Sequence, residues 1–181
     1  KAFSTKGVQK GGARFDYEKA KWVNQQQLQN MSIEEIYSLS RTKEILSPFE
    51  KNKHLSLIKL VKKRLNTLND IKGELAFIKS IHPYDEKVIN KVENKNPKTI
   101  LEQIKKTLIK YDDDDLFKEQ MISWSKKNEV SMGLLMQTFR LALVGKLTGP
   151  DIFEVCSVLG KEVSLKRIND LIEHLNFKQI L

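Results

Sequence analysis

The residues best suited to bind a ligand lie in segment 137–162, QTFRLALVGKLTGPDIFEVCSVLGKE. Arg140 is the only charged residue of an apolar helical stretch, and a short connection leads from it through Gly149 to a new helix. The guanidinium group supplies donors, unpaired N–H groups of the new helix can meet a polar edge, and Ile152 and Phe153 offer a stacking surface for a splayed nucleic-acid base. The same pattern is typical of a helix–turn–helix corner with both apolar side chains buried. Both arrangements stay open on the residues alone, and the buried corner is the commoner one.

Residue types that catalyse reactions or bind metals are present without a usable spacing. The histidines His54, His82 and His174 lie far apart, and Cys156 lies in an apolar helical stretch where a packed thiol is expected. The four carboxylates of Asp112–Asp115 are consecutive, so they do not converge on one ion, and we expect them to cap a helix. We therefore expect no catalytic residue, no metal site and no cofactor in this segment.

The charge of the chain favours a polyanionic partner. There are 32 basic and 23 acidic residues among 181, for a net charge of +9 and a pI near 9.5. Such a balance is typical of proteins that bind nucleic acid or an anionic surface. The alternative is a solvated surface in a lysine-rich proteome. No apolar run approaches the roughly 20 residues that span a bilayer, so no membrane partner is expected. No signal peptide opens the chain, and we expect Lys1 to be a boundary or a processed end.

Helical periodicity predicts how these residues are positioned. Apolar residues recur at spacings of three and four, and almost no segment alternates with period two. Capping residues predict helices after Asp16, after Ser32 with Glu35 as a capping box, after the Asp112–Asp115 run, and from Ser131 to Gly145. Further helices are predicted around Leu57–Val61, over 67–80, from Pro97, from Gly149-Pro150 to Gly160, and after Ser164. Trp22 and Trp124 are expected in the core.

The fold class predicted from this pattern is all-α. We expect a helical bundle or cage made of two helical subdomains, joined near residues 93–98, ENKNPK. With 40% hydrophobic residues, a chain of this length can bury a core of its own.

Two separated stretches resemble bacterial glutamyl-tRNA synthetases. Segment 137–162 is similar to the C-terminal signature of that family: an Arg-Leu-Ala-Leu helix, a Gly, a short turn, a Pro, a Phe-Glu pair and Leu-Gly-Lys-Glu. Near the start, the family pattern F-D-x-x-K-x-x-W-x-N is matched by five residues, namely Phe15, Asp16, Lys19, Trp22 and Asn24. The two signatures stand in the right order, more than a hundred residues apart.

The resemblance implies a tRNA-binding part of a glutamate–tRNA ligase. Residues 1–30 would be a remnant of the stem-contact region and a connecting helix, 31–95 a first anticodon-binding helical subdomain, and 96–181 a second. The family's ATP and glutamate motifs have no match, so aminoacylation, ATP and Mg²⁺ would belong to a catalytic domain upstream of Lys1. The implied partners are the anticodon loop of glutamate tRNA and the protein's own catalytic domain, in the cytoplasm.

The resemblance also carries over individual RNA-binding residues. Arg140 takes the place of an arginine near the anticodon, and Gly149, Ile152 and Phe153 take the places of residues that surround anticodon bases. Gly149 departs from the pattern, because a hydroxyl residue can occupy that place. Within VKKRLNTLNDI, Arg64 resembles the arginine that reads the third anticodon base.

The chemistry of Arg64 agrees with such a role. Glutamate anticodons end in C, whose Watson–Crick edge offers the acceptors O2 and N3, whereas the G that ends glutamine anticodons presents donors. An arginine should favour C by roughly 1–3 kcal/mol, the usual scale of a good base contact. Alternatively, Arg64 belongs to a solvated basic face with Lys59, Lys62 and Lys63. These lysines, with Lys6 and Lys10, are expected to contact phosphates, which carry no sequence information.

Two other functions stay open. The chain could be a helical tRNA-binding module of a related class I synthetase or of a tRNA-modifying enzyme, or a basic protein-interaction module without an RNA role. A steep fall of affinity with salt would favour RNA binding, and dependence on the anticodon would separate the first two.

Overall fold

A computed structural model describes residues 15–47, 50–81, 84 and 86–178. Within these residues the fold is all-α, as predicted, and no β-strand occurs. The α-helices are α1 (Tyr17–Asn30), α2 (Ile33–Leu39), α3 (Lys43–Leu46), α4 (Lys51–Lys62), α5 (Asp70–Glu74), α6 (Glu86–Glu93), α7 (Pro97–Lys110), α8 (Asp114–Lys127), α9 (Met132–Val144), α10 (Ile152–Leu159) and α11 (Lys161–Lys178), with a 3₁₀ helix at Ala76–Ile78. None of the described helices has both the length and the apolar content of a membrane crossing.

Side-chain caps set several of the helix starts locally. Asp16 accepts a hydrogen bond from the Lys19 amide at the start of α1, and Ser32 and Glu35 form the predicted capping box of α2. Asp113 caps α8, and Ser131 caps α9. In each case a side-chain oxygen satisfies an N–H group that has no partner inside the helix. The helix starts predicted after Asp16, Ser32 and Ser131 are confirmed, and the acidic run does cap a helix, which begins inside the run at Asp114.

Helix α9 lies at the centre of the packing. Its sequence MGLLMQTFRLALV is almost wholly apolar, and Leu135, Phe139 and Leu141 are each at most 1% exposed. Gly133 and Gln137 form an exposed strip, and a helix that is apolar on its remaining sides must be covered there. It packs against α6, α7, α8, α10, α11 and the 3₁₀ helix.

Three phenylalanines join α8, α9 and α10. The rings of Phe117, Phe139 and Phe153 meet edge to face, with centroids 5.7–6.0 Å apart. Each ring is at most 7% exposed. Such a geometry fixes the relative rotation of the three helices, because edge-to-face contacts are directional.

Helices from both predicted subdomains pack on each other. Helix α4 contacts α10, and α6 contacts α9. The buried apolar side chains belong to one cluster that runs from Leu28 to Leu175. The division into 1–30, 31–95 and 96–181 stays a prediction.

The predicted single helix over 67–80 is wrong. Helix α5 ends at Glu74, and Leu75 leaves the helical conformation with φ −97° and ψ 5° before the 3₁₀ helix begins. Of the four apolar residues that suggested the helix, Ile71, Leu75 and Ile78 are nevertheless buried, and Leu68 is partly buried. Periodicity thus identified the buried positions correctly, although the backbone between them is broken. His82 lies outside the described residues.

Two further expectations are corrected at the ends of the chain. Ser164 does not cap the last helix: α11 begins at Lys161, directly after Gly160, and Ser164 is fully buried inside it. Its Oγ accepts from the Cys156 thiol at 3.5 Å, and burial raises the pKa of that thiol to about 11, so Cys156 is packed as expected.

Trp22 is 59% exposed rather than in the core, whereas Trp124 packs against the core.

Gly145→Ala should destabilise the fold. Gly145 ends α9 with φ +73°, and an added Cβ would lie 3.1 Å from the Ile81 carbonyl oxygen. The left-handed conformation costs a non-glycine residue about 1–2 kcal/mol. We expect urea unfolding to show at least that loss. Gly133→Ala at the other end of α9 is the matched control: nothing lies within 4 Å of its added Cβ. It should leave stability unchanged or raise it by up to ~1 kcal/mol, and equal losses in both variants would contradict the explanation.

Candidate nucleic-acid interface

Arg140 fastens the turn between α9 and α10. Its terminal nitrogens donate to the carbonyl oxygens of Leu147 at 3.4 Å and Pro150 at 3.1 Å. Its Nε is buried without a hydrogen-bond partner. Burial lowers the pKa of the guanidinium; Asp151 counteracts this shift, and Arg64 adds to it. Two of the donors that were expected to meet a ligand therefore hold the turn.

The start of α10 is closed by a cap that the sequence reading missed. The Asp151 carboxylate accepts from the amides of Phe153 at 2.9 Å and Glu154 at 3.2 Å. The expectation of unpaired N–H groups at this terminus is corrected for these two amides. Asp151 could have been recognised, since Asp is a favoured N-cap residue and stands directly before the apolar run.

Ile152 and Phe153 lie in the core. Their exposed fractions are 1% and 7%, and the Phe153 ring belongs to the phenylalanine cluster. Of the two arrangements left open by the sequence, the structure adopts the buried helix–turn–helix corner. Neither side chain presents a stacking face, and an RNA-binding role for them stays a prediction.

Arg64 and Gly149 are 85 residues apart in the chain and adjacent in space. The Nη1 of Arg64 lies 3.4 Å from the Gly149 carbonyl oxygen. Both residues line a cavity of about 110 Å³, together with Gly73, Glu74, Phe77, Val144, Lys146, Thr148 and Pro150. The structure thus brings Arg64 to the turn that Arg140 holds.

Glu74 fixes the Arg64 side chain, a contact that was not predicted from the sequence. The Arg64 Nε donates to Glu74 Oε2 at 2.5 Å, and Nη2 donates to Oε1 at 3.4 Å. This is the two-point contact that a planar guanidinium makes with a carboxylate. With the Gly149 contact, residues of the described part of the chain occupy three of the five guanidinium donors and leave one N–H on each terminal nitrogen. The Arg64 guanidinium is therefore exposed, and the contacts with Glu74 and Gly149 hold its two remaining N–H donors in one orientation.

Gly149 leaves room for a larger residue. A Cβ added there would lie 3.4 Å from Cδ of Arg140 and 3.8 Å from a methyl group of Val144, which is ordinary contact. The position therefore accommodates a Cβ, and the hydroxyl residue that the resemblance implies at Gly149 stays a prediction.

Comparison with known proteins gives the family. The model of the anticodon binding domain matches residues 21–172. The chain is 33% identical to a glutamate–tRNA ligase of Christiangramia forsetii and 32% identical to one of Porphyromonas gingivalis, over 97% and 96% of its own length. It also superposes on a crystal structure of a glutamate tRNA ligase from Elizabethkingia meningosepticum with a TM-score of 0.81 and 33% identity, over 96% of this chain. The chain belongs to the anticodon binding domain family.

This anticodon binding domain spans only part of its relatives. It covers 36% and 35% of the two ligases and 35% of the crystallised chain. The implied resemblance to glutamyl-tRNA synthetases is confirmed by these matches. The RNA-binding roles of Arg64, Arg140, Gly149, Ile152 and Phe153 remain predictions.

The lysines expected at phosphates differ in their surroundings. Lys59 and Lys63 of the anticodon binding domain are exposed. Lys62 is half-buried, and its Nζ donates to the Met31 carbonyl oxygen at 2.6 Å, so it ties α4 to the end of α1. Lys6 and Lys10 lie outside the described residues.

The turn that follows Arg64 is organised by Asp70. Its carboxylate accepts from the amides of Asn66 at 2.8 Å and Thr67 at 2.9 Å and from the Thr67 hydroxyl at 2.9 Å. Burial acts to raise the pKa of Asp70, but the bonds from Thr67 and Asn66, with the Lys21 charge, bring it below its ordinary value. The ionised form is therefore favoured in the folded state, and its stabilisation is present above the unfolded-state pKa.

Asp70→Asn should lower the stability of the fold at neutral pH, and the difference from wild type should disappear in acid. Because the folded pKa is depressed, the contribution is complete above the ordinary value of 3.8 and disappears as the pH falls through the folded pKa. We expect the difference in Tm between wild type and variant to be constant from pH 5 to 7 and to close below about pH 4. A difference that persists in acid would show that shape, and not charge, carries the interaction. Glu129→Gln, on an exposed residue, is the control.

Proposed function

We propose that the chain is the anticodon-binding part of a glutamate–tRNA ligase. It would hold the anticodon loop of glutamate tRNA and so present the distant acceptor end to the catalytic domain of the longer protein, in the cytoplasm. ATP, Mg²⁺ and aminoacylation would belong to that catalytic domain. The observation that carries the proposal is the Arg64 guanidinium, held at the Gly149 turn with two donors left.

Arg64 would read the third base of the anticodon. One N–H on each terminal nitrogen matches the two acceptors, O2 and N3, of a cytosine. A guanine in the same place would direct its own N–H groups at these donors. Since Glu74 and the Gly149 carbonyl limit rotation of the guanidinium, the two donors cannot easily turn away from such a mismatch. This favours discrimination over general attraction.

The other predicted site residues would support this corner. Arg140 holds the Leu147 and Pro150 carbonyl groups and thereby the position of Gly149. Ile152 and Phe153 anchor the turn in the core. We propose that the first two anticodon bases lie on the Gly149 side of Arg64, where contacts would come from the backbone of the turn.

Titration of glutamate tRNA tests the reading of the third base. We expect a variant tRNA with G in place of the third anticodon C to bind more weakly by about 1–3 kcal/mol. Arg64→Gln should abolish most of this difference. Lys126→Gln, which removes one positive charge from an exposed position, should keep it. Equal binding of both tRNAs by the wild-type chain would show that only the backbone is held, and no binding at low salt would contradict the RNA function itself.

Glu74→Ala should separate affinity from discrimination. Loss of the carboxylate raises the net positive charge, so affinity for both tRNAs should stay equal or rise. The released guanidinium can rotate, so the ratio of the two dissociation constants should fall towards one. Glu102→Ala makes the same change of charge on an exposed residue of α7 and should preserve the ratio. An unchanged ratio in Glu74→Ala would exclude a positioning role for this carboxylate.

A further inference from the structure

A larger cleft adjoins the Arg64 corner, and Gly149 is not among the residues that line it. It has a volume of about 830 Å³ and lies between the start of α1 and residues 64–74. Arg64, Gly73, Glu74 and Lys146 line both this cleft and the small cavity at Gly149. The two spaces are therefore neighbours that share the Arg64 side chain as a common wall.

The walls of the cleft are held in place by hydrogen bonds. The Asn24 side-chain amide of α1 donates to the Asn66 carbonyl oxygen, and Gln29 donates to the Lys62 carbonyl oxygen at 2.9 Å. On the opposite wall, Asp70 fastens the turn at Asn66 and Thr67. The cleft is thus defined by fixed backbone on both sides, as expected of a binding site that exists before its ligand arrives.

The lining combines aromatic rings with exposed positive charge. Phe15 is 77% exposed and Tyr17 is 69% exposed. Lys21 and Lys146 also line the cleft and are exposed. The carboxylates of the lining are already engaged, Glu74 by Arg64 and Asp70 by its own turn. Aromatic faces beside exposed lysines suit a nucleotide, because the base stacks and the phosphate is attracted.

We propose that this cleft binds the nucleotide on the 3′ side of the anticodon, with its base against Phe15 and Tyr17 and its phosphate near Lys21 and Lys146. The inference rests on the proposed function. Arg64 would read the third anticodon base, and the first two would lie on the Gly149 side, so the strand leaves Arg64 on the side of the cleft. Stacking accepts any base, so this subsite adds affinity without a sequence requirement.

The polar part of the lining argues against an apolar protein segment as the occupant. Such a segment would cover Phe15 and Tyr17 but would take Lys21 and the Asn66 and Asn69 side chains from water without replacing their hydrogen bonds. A nucleotide provides a ring and acceptors together.

A cycle of base removal and substitution tests the proposal. Glutamate tRNA is prepared with an abasic nucleotide immediately 3′ of the anticodon, and its dissociation constant is compared with that of intact tRNA. We expect base removal to weaken binding to the wild-type chain about fivefold or more. With the double variant Phe15→Ala/Tyr17→Ala, base removal should change binding less than about twofold. Circular dichroism verifies that the double variant is folded.

Two control variants make the cycle specific. Tyr17→Phe keeps the ring and should retain the full effect of base removal. Phe177→Ala removes a ring of equal exposure, 70%, from α11 outside the cleft, and should also retain it. An effect that is equal in wild type and double variant, or absent from both, overturns the proposal. So does a double variant that binds both RNAs like wild type but lowers the Tm of the full-length protein, because the rings then pack on the preceding segment.

The same titrations separate this proposal from the proposed function. If binding depends on the third anticodon base but not on the 3′ neighbour, the cleft assignment alone fails. If neither RNA binds at low salt, the proposed function fails, and the cleft assignment fails with it.

Discussion

The burial of α9 is the constraint on which the other helices depend. Leu135 and Phe139 lie on one side of this helix and Leu141 lies on another, and none of the three is more than 1% exposed. No single partner helix can cover such a surface, so α6, α7, α8, α10 and α11 gather around it. At about 25 cal/mol per Å² of apolar area removed from water, each large side chain contributes roughly 1.5–3 kcal/mol to this arrangement. The helices that carry the site are held in place through this contact.

Polar contacts at the end of α9 fix the turn between α9 and α10. Arg167 of α11 donates to the Leu143 carbonyl oxygen at 2.5 Å and to that of Ile78 at 3.3 Å. Arg140 then holds the Leu147 and Pro150 carbonyl groups, and Gly145 lets the chain reverse. Each guanidinium is partly buried. Arg167 satisfies a carbonyl group at the end of α9, where the helix leaves it without a partner, and Arg140 satisfies two carbonyl groups of the turn that follows. These contacts hold the turn in place, and the Gly149 carbonyl oxygen then lies next to the Arg64 side chain.

Local signals were predictable from the sequence, and contacts between distant segments were not. Capping by Asp16, Ser32 and Ser131 and termination at Gly145 depend on residues within one turn, so the sequence suffices. The break at Leu75 was missed because its apolar neighbours keep helical spacing while the backbone does not. Glu74 could not be assigned to Arg64, because a separation of ten residues gives no contact in a continuous helix. Only the resemblance to a known family predicted that Arg64 and Gly149 belong to one interface. No rule of residue spacing predicts a contact between residues that are 85 positions apart.

In the proposed function, the pairing of Arg64 with Glu74 would separate general attraction to RNA from discrimination between bases, two effects that a basic surface otherwise combines. An unpaired arginine attracts every phosphate, and that attraction is the same for all RNA sequences. A carboxylate on the guanidinium cancels most of this attraction but leaves the two remaining N–H groups as directed donors. General affinity would then come from exposed lysines such as Lys63 and Lys146 and would fall with salt, whereas discrimination would come from Arg64 and would depend on salt much less. In the proposed function, a net charge of +9 would supply general attraction in excess, so a carboxylate at Arg64 would sacrifice little affinity. In return, the direction of the donor pair would be set by the protein before the RNA arrives.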